Sequence, residues 1–202
     1  MKLNKKITII VITILIIIIG FLILKNMIKK TKIGNNMNSQ EIVDYILNIK
    51  SYKSKINVQV NSNKNKNKYV LEQEYNTENG NTQTVIEPAN IAGTKIILKD
   101  ENLKIENTKL NLSQIFENYK GIEDNSLDLS SFIQDYKSSD KSSYEENEKE
   151  IIMKTKNNKN NKYNQNKVLY IDKKNKLPTK LIIEDDNKNM TINIQYNSIE
   201  IN

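Results

Sequence analysis

Tyr52-Lys53-Ser54-Lys55-Ile56-Asn57-Val58-Gln59-Val60 places an aromatic, a small hydroxyl and three aliphatic side chains at every second position, with Lys, Asn and Gln between them. Successive side chains of an extended chain point to opposite faces, so a period of two predicts a strand with one buried face. Just upstream the period is helical. Asn38 and Glu41 stand three apart as in a capping box, and Ile42, Val43, Ile46, Leu47 and Ile49 follow at the spacing of one helix face. That face is expected to pack in the core rather than against a partner.

Downstream the strand signal repeats. Residues 69–75, 83–87, 95–99 and 103–107 read as strands, separated by turn formers at 77–81, 88–93 and 100–102. Connections this short favour antiparallel neighbours. Two helical patterns then interrupt: Leu112, Ile115, Phe116 and Tyr119 behind the cap candidate Asn111, and Leu129, Phe132, Ile133 and Tyr136. Strands resume at 148–156, 167–172, 179–184 and 190–196, with a last one containing Ile199 and Ile201. One helix, five strands, two helices and four or five strands predict an α+β fold, a large antiparallel sheet with its helices gathered on one side. A sheet of that width tends to curl, so a curved half-barrel closed by the helices is expected.

Upstream of this body lies a different kind of segment. Ile7 to Leu24 contains no charge and, as a helix, rises about 27 Å, close to the hydrocarbon thickness of a bilayer. A cleavable signal would have a shorter apolar region and a small-residue cleavage site, whereas Phe21-Leu22-Ile23-Leu24 runs straight into Lys25. The expected organisation is a short basic tail and transmembrane anchor at 1–30, a polar linker at 31–38 and a soluble domain at 39–202.

The formal net charge of +7 sits beside that anchor. Lys2, Lys5, Lys6, Lys25, Lys29, Lys30 and Lys32 flank it with no acid among them, and the other lysines equal the 24 acidic residues in number. The basic balance therefore belongs to membrane flanks facing anionic headgroups, and the domain itself is neutral, which argues against a nucleic-acid partner. Lysines on both sides leave the positive-inside count undecided.

The chain has no Cys, His, Trp or Arg. That excludes disulfides, thiol nucleophiles, His-dependent triads, thiolate or imidazole metal sites and arginine clamps. It also excludes a lipid-bearing cysteine. The acid pairs Glu145-Glu146 and Asp185-Asp186 lie in polar runs and read as solvated charges rather than as glycosidase or calcium groups. No catalytic residue, metal or cofactor is expected. Ten tyrosines stand against three phenylalanines. Tyr52, Tyr69, Tyr75, Tyr170 and Tyr196 fall on strands and are expected mostly in the core, while Tyr144 and Tyr163, in polar segments, are the candidate partner contacts. The Asn- and Lys-rich runs at 61–68 and 156–167 read as solvated hairpin tips.

The stretch Val85-Ile86-Glu87-Pro88-Ala89-Asn90-Ile91-Ala92-Gly93-Thr94-Lys95-Ile96-Ile97-Leu98-Lys99-Asp100-Glu101-Asn102-Leu103 resembles the periplasmic lipoprotein carriers, the LolA-like superfamily. A strand stops at Pro88, a short loop ends at Gly93, and a strand-turn-strand follows, so Glu87, Pro88 and Gly93 are the structural motif residues. The entry helix, the Tyr52 strand and the ending LPTKLIIEDDNKNMTINIQYN are similar as well. Within that superfamily residues 38–202 look most like the spore-germination lipoprotein GerS and its relatives, from which the chain departs in lacking the lipid-bearing cysteine.

The resemblance implies an extracytoplasmic C-terminal domain on a single-pass anchor, and a non-catalytic binding or regulatory module at the cell envelope. In the germination branch the implied partner is an N-acetylmuramoyl-L-alanine amidase acting on spore-cortex peptidoglycan. The alternative is a lipid or lipoprotein carrier that holds an acyl chain in the concave face of the half-barrel. A third reading, an envelope-stress sensor, is disfavoured by the few residues that precede the helix.

Overall fold

The computed structural model describes residues 37–62, 65–119, 127–157, 166–187 and 189–202. The expected anchor, Ile7 to Leu24, and Tyr163 lie outside the described residues. Among the described residues no helix is long and apolar enough to cross a membrane. The described helices and strands all belong to the unit Ser39–Asn202.

Helix α1 is Ser39–Leu47, and Ile42, Val43 and Ile46 are its buried face. Six strands come next: β1 Ser51–Asn61, β2 Lys66–Asn76, β3 Gly80–Glu87, β4 Lys95–Lys99, β5 Asn102–Asn107 and β6 Leu112–Phe116. Helix α2 is Leu129–Ser138, and the chain ends with β7 Ser143–Glu146, β8 Glu150–Lys156, β9 Asn166–Asp172, β10 Leu177–Glu184 and β11 Met190–Ile201. The strands form an open 11-stranded antiparallel sheet in the order β6-β5-β4-β3-β2-β1-β11-β10-β9-β8-β7. It consists of two up-and-down runs, β1 to β6 and β7 to β11, joined in the middle where β1 pairs with β11.

Register assigns the faces. Tyr52, Ser54, Ile56 and Val58 of β1 are buried, and Leu71 and Gln73 of β2 lie opposite Ile56 and Ser54. On the other side Ile194 lies opposite Val58, Leu181 opposite Ile194, Leu169 opposite Leu181 and Met153 opposite Leu169. Ile194, Leu181, Leu169 and Met153 are fully buried. Burying each such aliphatic side chain is worth about 1.5–3 kcal/mol, and α1 and α2 both pack onto this face over β8. The opposite face is polar, with exposed Lys53, Lys55 and Asn57 alternating with the core residues of β1.

Four sequence expectations need correction. The helical spacing of Leu112, Ile115, Phe116 and Tyr119 belongs to a strand, because residues 112–116 complete a ladder with β5 and pair Leu103 with Phe116. Asn111 is no helix N-cap: it is left-handed (φ 49°) and closes the 3-10 turn Thr108–Leu110. The two C-terminal strands are one, β11, with a register shift opposite Lys55 and Ile56. Of the five tyrosines expected in the core only Tyr52 is fully buried, and Tyr69, Tyr75, Tyr170 and Tyr196 are half-buried. Strand β7 carries no apolar signal and is absent from the strands expected on sequence.

Gly80 and Gly93 both adopt positive φ, +79° and +86°. A Cβ on Gly80 would lie 2.2 Å from the carbonyl oxygen of Leu98, whereas one on Gly93 would meet open space. Gly93→Ala should therefore cost only the left-handed backbone penalty of about 1–2 kcal/mol, and Gly80→Ala should cost clearly more because β4 must also move. Chemical denaturation of the two variants checks this; equal losses would mean that the β3–β4 pairing yields freely.

Candidate functional site

The helix-bearing face is not apolar throughout. Gln73 and Gln83 lie side by side on β2 and β3, both buried, and both donate from Nε2 to Asp128 Oδ1, at 3.2 and 2.7 Å. Ser54 donates to Gln73 Oε1 at 3.1 Å. Asp128 precedes the first turn of α2, yet its carboxylate caps nothing there. That role falls to Tyr52 of β1, whose hydroxyl accepts the Leu129 N–H at 3.2 Å. Strand β1 thus fixes where α2 begins, and the displaced carboxyl is turned into the sheet.

Asp128 is only 1% exposed, and burial pushes its pKa up to about 7 against the smaller opposing pulls of the Gln83 hydrogen bond and the Lys167 charge. Its Oδ2 is buried without a hydrogen-bond partner, as is Asn81 Oδ1. A carboxyl held protonated supplies a donor where an ionised one would leave a bare charge. Tyr196, whose buried hydroxyl is also unpartnered, is raised by burial first and by Asp128 second. Further along α2, Lys167 of β9 is fully buried with its Nζ 2.6 Å from Asp135 Oδ2 and 2.9 Å from Ser131 Oγ. These contacts pin α2 to both halves of the sheet.

Beside α2 the sheet is open. A cavity of about 260 Å³ is walled by Ile96, Leu98, Leu103, Ile105 and Leu127, with Asn81 and Gln83 at its margin. Asn81 and Leu98 are shared with a second cavity of about 430 Å³ that runs under Ser130, Gln134 and Lys137 of α2 and reaches Asp128. The two share a wall and form one trough, apolar toward β5 and of mixed polar and apolar lining along the helix. Strand β6, outermost at that end of the sheet, adds exposed apolar side chains: Leu110 just before it is 53% exposed, Leu112 43%, Ile115 55% and Phe116 39%. An outermost strand with large apolar side chains on both faces is what sheets normally avoid unless something pairs with it.

The motif residues lie nearby. The Glu87–Pro88 peptide is cis, Gly93 N–H donates to Val85 O at 2.8 Å, and Thr94 O accepts from Val85 N–H at 2.8 Å. Buried Asn107 ties this loop to β5, donating to Thr94 Oγ1 (2.8 Å) and Ala92 O (3.3 Å) while its Oδ1 accepts from Lys109 and Leu110 N–H. Tyr144 is on β7, opposite Met153, at the far end of the strand order from β6. Glu146 is paired with Lys173 and Ser39, Glu145 with Lys154, and Asp185 is lowered by Asn189 hydrogen bonds within a turn. Among the described residues no acidic cluster is placed to hold a metal ion.

The sequence profile of the family described as "Sporulation protein YdcC-like" matches residues 5–202. No curated protein sequence matches the chain. Among solved structures, an uncharacterized conserved protein from Thermus thermophilus is similar with a TM-score of 0.52 at 9% identity, covering 82% of this chain and 88% of that one. A chain from the structure of the CwlD amidase from Clostridioides difficile in complex with the GerS lipoprotein has a TM-score of 0.52 at 21% identity, covering 84% of this chain and 99% of that one. A LolA superfamily protein, NE2245 from Nitrosomonas europaea, has a TM-score of 0.42 at 10% identity, covering 83% and 94%. Of the two expected groups, the chain from the amidase–GerS complex shares the fold of residues 38–202.

Asp128 makes stability depend on pH. An acid whose folded pKa lies above its unfolded value holds its proton more tightly in the native state, so its contribution is full below about pH 4, is lost as pH rises to about 7, and is constant beyond. Urea titrations at pH 5 and pH 8 should show the protein weaker at pH 8 by an amount on the order of 2–4 kcal/mol that Asp128→Asn abolishes. An unchanged difference in the variant would place the titration elsewhere.

Proposed function

The chain belongs to the YdcC-like sporulation protein family, and on that premise we propose that it is a membrane-anchored, non-catalytic module that binds and regulates a peptidoglycan amidase of the N-acetylmuramoyl-L-alanine class at the cell envelope. The observation that carries this reading is the set of exposed apolar side chains, Leu110, Leu112, Ile115 and Phe116, on and just before an outermost strand. The edge of an outermost strand with apolar side chains offers a partner both main-chain pairing and side-chain pockets. A neighbour in fold is a chain of a complex between an amidase and a lipoprotein, which supplies the class of partner. In this reading Ile7 to Leu24 holds residues 39–202 outside the cytoplasmic membrane. The absence of His, Cys and Arg supports a role without chemistry of its own. Glu87, Pro88 and Gly93 shape the loop that Asn107 clamps, and Tyr144 and Tyr163 are each a secondary partner contact in this reading.

A second reading has its own observation. The apolar end of the trough suits an acyl chain held against a curved sheet, as in a lipid or lipoprotein carrier. The wholly apolar part, about 260 Å³, falls below the roughly 300–1,000 Å³ of typical ligand pockets, and the rest of the trough carries Asp128, Gln134 and Lys137, which ranks this reading second. Mass spectrometry of the purified full chain separates the two, since a carrier retains an acyl chain and a regulator need not.

Co-purification of the full chain from sporulating cells, under conditions that preserve membrane complexes, tests the leading reading. A peptidoglycan amidase should be recovered with the native chain, and Leu112→Asp with Phe116→Asp should cut the recovery about tenfold or more, with thermal unfolding of the variant as the control for folding. Tyr144→Ala should have the smaller effect. Recovery of no peptidoglycan enzyme with the native chain would sink the proposal.

A further inference from the structure

The face of the sheet turned away from the helices carries a second built surface. Where β1 meets β11, Asn57 lies opposite Gln195 and Gln59 opposite Asn193. Val70 of β2 lies opposite Asn57 on the same face. These four carboxamides, with Lys68 of β2 and Glu87 at the end of β3, line a groove of about 390 Å³ across the middle of the sheet. Cross-strand positions on an ordinary solvated face gain most from β-branched, aromatic or oppositely charged pairs. Two consecutive carboxamide pairs give up that gain.

Part of the row is set in place. Asn57 Oδ1 accepts from Asn197 Nδ2 at 3.0 Å, and Gln59 Nε2 donates to Asn61 Oδ1 at 2.9 Å. Asn193 Oδ1 is buried and has no hydrogen-bond partner, an unsatisfied acceptor on a side chain that lines the groove. The groove has no net charge, with one lysine and one glutamate. The next cation along the row is engaged elsewhere: Lys180, opposite Gln195, rests its Nζ 3.9 Å from the centre of the Tyr170 ring. From Val70 through Asn57, Gln195 and Lys180 to Tyr170 the row crosses four strand spacings, about 19 Å.

A carboxamide carries two N–H donors and a carbonyl acceptor. It pairs with a sugar hydroxyl, which both donates and accepts, or bidentately with an acetamido group. A phosphate or carboxylate polymer would instead call for unopposed cations. We propose that this groove binds an uncharged glycan bearing hydroxyl and acetamido groups, the chemistry of an N-acetylhexosamine chain. The site is independent of the amidase reading, because its ligand is a polysaccharide and it lies on the face opposite the α2 trough.

The test uses the full chain in detergent micelles with two probes, purified peptidoglycan sacculi stripped of teichoic acid and soluble N-acetylglucosamine tetrasaccharide. The native chain should sediment with the sacculi and give a calorimetric signal with the tetrasaccharide. Asn57→Ala with Gln195→Ala should weaken both by about tenfold or more, and Lys53→Ala with Glu74→Ala, which removes an exposed ion pair of the same face, should leave them unchanged. Thermal unfolding of each variant controls for folding. Three results overturn the proposal: no binding of either probe by the native chain, equal binding by Asn57→Ala with Gln195→Ala, or sedimentation that vanishes at about 0.5 M salt, which marks adhesion through lysines.

Discussion

The pairing of β1 with β11 is the constraint on which the other features rest. Each run of strands, β1 to β6 and β7 to β11, is built from local antiparallel connections, yet neither has a helix of its own over most of its width. Only when Tyr52 meets Ile201 and Val58 meets Ile194 do the two apolar faces become one surface, with α1 and α2 over β8 and the start of α2 bonded across to Tyr52, Gln73 and Gln83. The same strand then serves three purposes. Its inward side chains form the middle of the core, its Tyr52 hydroxyl sets the first turn of α2, and its outward Asn57 and Gln59 line the carboxamide groove.

The interface between α2 and the sheet mixes aliphatic packing with a polar layer. Gln73, Gln83, Ser54 and Asp128 on one side, and Lys167, Asp135 and Ser131 on the other, are expensive to remove from water. Their hydrogen bonds offset much of that cost and have directions, which apolar contacts lack. A helix seated on aliphatic side chains alone has several nearly equal rotations, whereas these bonds select one. That selection leaves the trough beside α2 open over β3 to β5, because the helix cannot roll across to cover Ile96, Leu98 and Ile105.

Most of the strands were legible because their core faces alternate: the phase of Tyr52, Ser54, Ile56 and Val58 read from the sequence is the buried phase of β1. Helices α1 and α2 were legible from their apolar spacing. The failure at 112–116 has a physical cause. Leu112, Ile115 and Phe116 satisfy a helical period, whereas the period of two through Leu112 and Phe116 is interrupted by polar Gln114, and the ladder offered by β5 overrides the local pattern. Strand β7, Ser143–Glu146, is held by its neighbour β8 and by charge pairs, so it had no apolar pattern to read. The polar layer was invisible for a related reason. Lys167 is in phase with Leu169 and Ile171, yet a lysine in a polar run reads as solvent-facing until Asp135 is found across the interface. Glu87 was read only as part of a loop motif, and its place in the groove depends on the β2–β3 register, which local sequence does not specify.

The central seam also sets an order of events. Asn61, at the end of β1, precedes Met190, the first residue of β11, by 129 positions, an interval of roughly 6–25 s at the usual pace of synthesis. Throughout it β1 to β6 can pair among themselves while the far side of β1 stays a bare edge, the kind of template on which nascent chains misassemble. The outward lysines of that strand, Lys53 and Lys55, acquire a role that the finished sheet conceals. Charged side chains beside an open edge must be stripped of water before a second copy can pair there, so the strand is guarded during its exposed interval by residues that in the finished sheet stand opposite Glu74 and Glu72 of β2.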